Sequence, residues 1–320
     1  MNVSRMPMLE ILAFVEAELS RGAQTLELDV PADDPRPVRT WVDLAERLRL
    51  RLRMPRTLPD AGATRLTFDR LAIEDRLTIE DRPTAEEGTE ERTEERTEKY
   101  GASSPFARIR KLEDPRFVID LLEALDRVVA SSAIDRPDAS NTTIDRPDAS
   151  NHALRVLDLG INTGDELVLL LSRVPALQSA QLVGVDHSAS ALAVARQRFA
   201  AHPNVQLVEA DVASPMPELG RFDLVLSIGL LQSGALDDRE LLRRIVQDHL
   251  APTGALILGM PNCRYIDGEI EYGARMKNFT QPELGLLFKD VAFFRKYLQQ
   301  HHKQVFVTGK YYVFVTAIPV

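Results

Sequence analysis

Three acids, each closing an apolar run, and a glycine turn after the first of them are the residues of this chain best placed to do chemistry. Leu154-Arg155-Val156-Leu157 runs straight into Asp158-Leu159-Gly160-Ile161-Asn162-Thr163-Gly164, which reads as a buried strand, a tight turn and a helix over 165–174. Glycine lets the backbone bend sharply there and lie against a ligand with no Cβ in the way, and the helix start offers open N–H groups. Gln181-Leu-Val-Gly-Val-Asp186 is a second such run, its acid 22 positions beyond Gly164 (186 − 164). An acid at that strand tip is placed to hold a ribose diol. Val205-Gln-Leu-Val-Glu-Ala-Asp211 is the third.

The spacing excludes two common ligands. A dinucleotide turn needs glycines at 160, 162 and 165, but the chain has Gly160, Asn162 and Asp165, and the acid would repel a pyrophosphate. A P-loop needs Gly-Lys-Ser/Thr, whereas the chain has Gly164-Asp165-Glu166. A ligand with adenosine and a positively charged end remains.

The first turn resembles motif I of the class I S-adenosylmethionine-dependent methyltransferases, Asp/Glu-x-Gly-x-Gly-x-Gly. Asn162 stands in place of the middle glycine, and asparagine tolerates left-handed backbone better than most residues. The resemblance covers about half the chain, from Leu154 to Val320. It implies S-adenosyl-L-methionine as cofactor, held at Asp158, Gly160, Asn162 and Gly164, at Asp186 and His187, and at Asp211, Val212 and Ser227. In the resemblance, Asp211 accepts from the adenine amino group and the Val212 N–H meets the ring. No residue is assigned to a metal.

The elements that must position these groups follow in order. Strands are expected over 222–228 and 254–260, and helices over 189–201, 237–250 and 281–300. A hairpin of 304–308 and 311–318 is joined by Gly309-Lys310. With the resemblance, the expected fold is α/β: a Rossmann-like, seven-stranded, mostly parallel sheet with a C-terminal antiparallel hairpin, plus a small α+β N-terminal domain. That domain, 1–72, reads as helix 8–20, strand 25–30, helix 38–53 and strand 64–68. Its arginines 47, 49, 51, 53 and 56 read as a solvated face, and its role as dimer or partner contact.

The N-terminal domain is followed by a charged low-complexity linker, 73–99, with eleven acids and five bases and too little apolar surface to fold alone. Residues 100–133 are a lid segment and the helix preceding the sheet. The resemblance makes Tyr100, Ser103, Phe106 and Arg108 lid residues over the cofactor. The unit Ile134-Asp-Arg-Pro-Asp-Ala-Ser-Asn141 recurs at 144–151, giving a repeated linker loop over 134–152. The methyltransferase domain is 153–320. One cysteine, Cys263, no apolar run near the ~20 residues of a membrane span, and no signal-like start point to a cytoplasmic chain with no membrane partner.

The acceptor side is less defined. Parallel strands put their carboxyl ends on one edge, which leaves five of the six histidines on the other edge, with His187 bordering the adenosine. The Asn/Asp-Pro-Pro-Tyr/Phe motif of amino-group methyltransferases is absent after the fourth strand, where Ser227-Ile-Gly-Leu-Leu-Gln-Ser233 stands. The long connection 261–279 carries Asn262, Arg264, Tyr265, Glu269 and Arg275, and the hairpin tip carries Tyr311. These supply a carboxylate or phenol base and an arginine anchor. Residues 251–320 hold eight bases and five acids, which favours a small anionic acceptor over RNA, since RNA demands a broader basic surface. An RNA methyltransferase and a catalytically silent, cofactor-binding partner protein are the alternatives.

Overall fold

The computed structural model describes residues 3, 6–58, 62–71, 110–131, 154–233, 236–262, 264–266, 269–272 and 284–320. The expected lid residues Tyr100, Ser103, Phe106 and Arg108, the expected linkers 73–99 and 134–152, Cys263 and Arg275 lie outside them. Contacts divide the described residues into two units, one holding those up to 71 with 110–119, the other running from 120 to 320.

The first unit contains α1 (Met8–Ser20), β1 (Thr25–Pro31), α2 (Val38–Arg47), β2 (Leu50–Leu52), β3 (Arg56–Leu58) and β4 (Ala63–Arg70). β4 pairs antiparallel with β1, β2 and β3. Period-2 burial of Leu26, Leu28 and Val30 on β1, and the 3.6-period stripe Met8, Ile11, Leu12 and Val15 on α1, supply its core. The helix expected over 38–53 ends instead at Arg47. Arg49 takes a left-handed φ of 56°, and the alternation of leucine with arginine that follows is a strand period. Leu50 is buried and Arg51 exposed on β2. Charge pairs occupy the sheet, with Arg53 on Asp69 at 2.6 Å and Arg65 on Asp29 at 2.7 Å. Arg116, buried, bonds Asp43 of α2 at 2.9 Å and also reaches Glu46. Those bonds tie 110–119 to this unit.

The second unit is a seven-stranded sheet between helices. Its strands are β5 (Arg155–Leu159), β6 (Gln181–Asp186), β7 (Val205–Glu209), β8 (Phe222–Ile228), β9 (Leu250–Pro261), β12 (Lys303–Thr308) and β13 (Tyr312–Pro319), in the order β12-β13-β9-β8-β5-β6-β7. The five strands from β5 to β9 pair in parallel, and β13 is antiparallel to both β9 and β12. Near-continuous apolar runs such as Leu256–Leu258 suit a parallel sheet covered on both faces. The helices are α3 (Pro115–Ala130), which starts in the first unit, α4 (Asp165–Arg173), α5 (Ala189–Arg198), α6 (Asp238–Arg244) and α7 (Leu284–Gln300). Asp126 of α3 pairs with Arg173 at 3.1 Å.

Two boundaries differ from expectation. The helix over 237–250 stops at Arg244 and gives way to a π-helical turn at 245–249, so β9 begins at Leu250. The connection expected to be a long loop holds a small hairpin, β10 (Arg264–Ile266) paired with β11 (Glu269–Tyr272). Among the described residues no helix is long and apolar enough to cross a membrane.

Candidate cofactor and acceptor site

The parallel register brings the strand ends together. Leu159 stands opposite Val185 and Ser227, Asp186 opposite Glu209, and Ile228 opposite Gly259. From the end of β5 the turn runs through Gly160 (φ 77°), Asn162 (φ 50°) and Gly164 (φ 85°), all left-handed. Asn162 thus adopts the backbone a middle glycine would take, and its side-chain carbonyl accepts the Thr163 N–H at 2.9 Å. The Gly160 and Ile161 N–H groups donate to the Val185 carbonyl at 2.8 and 3.1 Å, which ties the turn to β6. A Cβ on Gly164 would stand 2.3 Å from the Phe199 ring, so glycine is required there by packing as well as by φ. Arg198 reaches the Thr163 carbonyl at 3.0 Å and pairs with Asp165, offsetting the acid at the helix start.

Asp186 is 5% exposed, and both its oxygens are used: Oδ2 accepts the Asn162 N–H at 2.8 Å and Oδ1 the Ser188 N–H at 2.9 Å. Each oxygen keeps a second lone pair for a ligand hydroxyl. His187, half-buried, lies with Nδ1 3.4 Å from Oδ1. Asp158 is buried near the end of β5, opposite Gly184 and Leu226. Asp211 is exposed, and its carboxylate accepts the Ala213 N–H at 2.9 Å. The next residue, Val212, is buried, and Arg244 of α6 donates to its carbonyl at 3.2 Å. The Ala210 N–H donates to the Asp186 carbonyl at 2.9 Å, fixing the β7 exit beside that acid. Ser227 is fully buried at the end of β8, and among the described residues its hydroxyl has no partner.

On the β9 side, the Asn262 N–H donates to the Tyr311 carbonyl at 2.8 Å, and its side-chain amide donates to the Lys310 carbonyl at 2.9 Å. Asn262 and Tyr311 are therefore brought together, with the Asn262 amide engaged in holding the hairpin tip. The Lys310 amino group lies 5.2 Å from the Tyr311 ring centre. β10 and β11 place Arg264, Tyr265 and Glu269 in one hairpin, of which the backbone alone is described.

Two residues at this edge escaped the sequence reading. Tyr312, not its neighbour Tyr311, is the buried tyrosine; it stacks on Phe314 two positions along β13, with ring centres 5.9 Å apart. Its hydroxyl lies 3.6 Å from the point where a Cβ on Gly229 would stand. The alternation along β13 carried that signal. Gln232 is the other, and nothing local marked it. The described histidines other than His187 sit by the amino ends of strands, His249 with Nδ1 3.1 Å from the Gly220 carbonyl.

Residues 156–254 match the family model of the Methyltransferase domain. A trans-aconitate 2-methyltransferase of Variovorax paradoxus is 36% identical over 112 residues, which is 35% of this chain and 40% of that protein. A release factor glutamine methyltransferase of Geobacter sulfurreducens is 34% identical over 125 residues, or 38% of this chain and 43% of that protein. Among solved structures, that of a SAM-dependent methyltransferase from Aquifex aeolicus is similar at 16% identity and a TM-score of 0.44, covering 67% of this chain and 98% of that one. The chain spans about two-fifths of the length of the curated relatives it matches first.

Proposed function

We propose that this chain, a member of the class I S-adenosylmethionine-dependent methyltransferase family, moves a methyl group from S-adenosyl-L-methionine to a small anionic acceptor. The observation that carries the cofactor half is the Asp186 carboxylate, set between the glycine turn and the start of α5 by two backbone N–H groups. The partnerless Ser227 hydroxyl at the same edge fits a ligand with polar groups to offer. In this reading Asp186 holds the ribose diol through its remaining lone pairs, while Asp211 and Val212 meet the adenine. The glycine turn, Asp158 and Ser227 border the amino-acid end, and His187 flanks the sugar.

When bound, the sulfonium supplies a methyl group already activated by a neutral thioether leaving group. The protein's task is then alignment of acceptor, methyl and sulfur, which accords with an edge where, among the described residues, His187 is the one histidine placed. An acceptor of small anionic type is supported by the cationic balance of 251–320 and by relatives named for trans-aconitate. Arg264 and Arg275 are proposed to anchor it, with Tyr265, Glu269 and Tyr311 as further acceptor-site residues.

The test is transfer of labelled methyl from the cofactor to a panel of small carboxylates, trans-aconitate among them, beside purified RNA. Turnover of a carboxylate, lost in an Arg264→Ala/Arg275→Ala variant that still binds the demethylated cofactor, is the expected result. Methylation of RNA, with affinity falling steeply as salt rises, would replace the acceptor class. Cofactor binding without transfer to any fraction of a cell extract would leave a silent binding protein.

A further inference from the structure

The loop that leaves β8 holds a buried amide with an unfilled hydrogen bond. Gly229 turns the chain with φ 77°, and its N–H donates to the Gly259 carbonyl at 2.7 Å. Leu230 then lies against the glycine turn, 3.3 Å from the point where a Cβ on Gly160 would stand. On the other side the Tyr312 hydroxyl lies close to Gly229. The Ser233 N–H closes onto the Leu230 carbonyl at 2.9 Å, and Leu231 is buried in the core. Gln232 is 5% exposed in this clamped loop, and its Oε1 has no hydrogen-bond partner among the described residues.

Folded chains rarely keep a buried side-chain carbonyl unpaired, because its lost hydration is not repaid. A leucine would fill similar volume with no polar atom to desolvate. The amide therefore makes physical sense as a partner for something that arrives. A half-turn about its last side-chain bond exchanges the carbonyl and the NH₂, so this one group can donate to a carboxylate or pair with a carboxylic acid. Being neutral, it orients an anion without cancelling the charge that makes it nucleophilic.

We propose that Gln232 contacts a carboxyl group of the methyl acceptor and sets selectivity for it, an assignment that rests on the methyl-transfer reading above. Because Oε1 is sealed from solvent, the side chain turns toward the ligand on binding, and the missing bond in the free chain favours that turn.

The test uses the full chain with Gln232→Leu and Gln232→Glu. Turnover is followed on trans-aconitate and other small carboxylates, with their primary amides as neutral controls. For Gln232→Leu, KM for the carboxylate is expected to rise at least ~10-fold with kcat held within about twofold, as for loss of a uniform binding contact. Affinity for the demethylated cofactor and the thermal midpoint should hold. Gln232→Glu should raise KM further, by repulsion, and less so for the amides. An unchanged KM in an active enzyme sinks the Gln232 assignment alone. A tenfold loss of affinity for the demethylated cofactor reassigns the residue to that ligand, and a fall in thermal midpoint that accounts for the whole loss makes it structural; either overturns the proposal. If the wild type binds cofactor but transfers to no carboxylate, the acceptor class fails and the Gln232 assignment falls with it.

Discussion

Over β5 and β6 the glycine turn and the Asp186 carboxylate are held by near neighbours in one compact stretch, whereas over β8, β9 and β13 the bonds of the working edge come from distant segments. On the first side Asp186 binds the N–H groups of Asn162 and Ser188, and Gly160 and Ile161 bind Val185. On the second, Asn262 reaches Lys310 across 48 positions, and the Tyr312 hydroxyl lies close to Gly229, 83 positions away (312 − 229). There the Gln232 carbonyl has no partner among the described residues. A preset network of local bonds suits one invariant ligand, because little reorganises on binding. An edge with open hydrogen bonds suits a ligand that supplies its own. The proposed reading puts cofactor on the first side and acceptor on the second, and it can be attacked from both.

The largest effect is expected at Gly164. Alanine there meets a left-handed φ and the Phe199 ring at once. Strain and overpacking together should cost about 2–5 kcal/mol, seen as a large drop in urea midpoint and in cofactor affinity. Tolerance of Gly164→Ala would mean the turn is soft, and the idea of a preset side would fail. Asp186→Ala comes next. Losing hydrogen bonds to a charged group should weaken cofactor binding by about 1.5–3 kcal/mol, with some loss of stability because Asn162 and Ser188 lose their acceptor. Normal affinity by calorimetry would remove the ribose assignment.

The same contrast explains what could be read from the sequence. The run Leu154–Gly164 announces a strand, a turn and a helix within eleven residues, and Asn162 could be judged by its tolerance of positive φ, which the structure bears out. The seven-stranded, mostly parallel sheet with its antiparallel C-terminal hairpin followed from the resemblance and from the alternation of 311–318, whereas the strand order came only with the structure. Leu48–Leu52 was harder: four or five residues fit a helical end or a short strand, and pairing with β4 decides. The acceptor side was least legible. Asn262 is committed to the hairpin tip by a contact with no local signal, and Gln232 stands out only once burial shows its carbonyl sealed. Tyr311 and Tyr312 differ by one position, and register alone puts Tyr312 opposite Pro261 and inside.

A smaller effect should come from Arg244, which supports the cofactor side from α6 through the Val212 carbonyl. Arg244→Ala should weaken adenosine-containing ligands by about 0.5–1.5 kcal/mol while leaving KM for the acceptor within about twofold. A rise in acceptor KM larger than the loss of cofactor affinity would show that the two sides are not separable.

The smallest effect on the site is expected from Lys303, which serves as a control on the far edge. It is 6% exposed at the start of β12, donating to the carbonyls of Pro252 at 2.9 Å and Gly254 at 2.7 Å. Burial holds its amino group below the usual lysine pKa of 10.5. Between that lowered value and the unfolded one, the unfolded chain binds more protons than the folded chain, so stability from this group rises with pH across the window. The neutral amine keeps two N–H groups for the two carbonyls, so the bonds survive deprotonation. Urea unfolding from about pH 8 to about pH 10 should therefore show the wild type gaining stability relative to Lys303→Met as pH rises. The variant itself loses the bonds to both carbonyls and should be less stable throughout, yet bind the demethylated cofactor as the wild type does. If Lys303→Met shifts that affinity more than about twofold, the two edges of the sheet are coupled, and the division of labour along the working edge cannot be argued from local geometry alone.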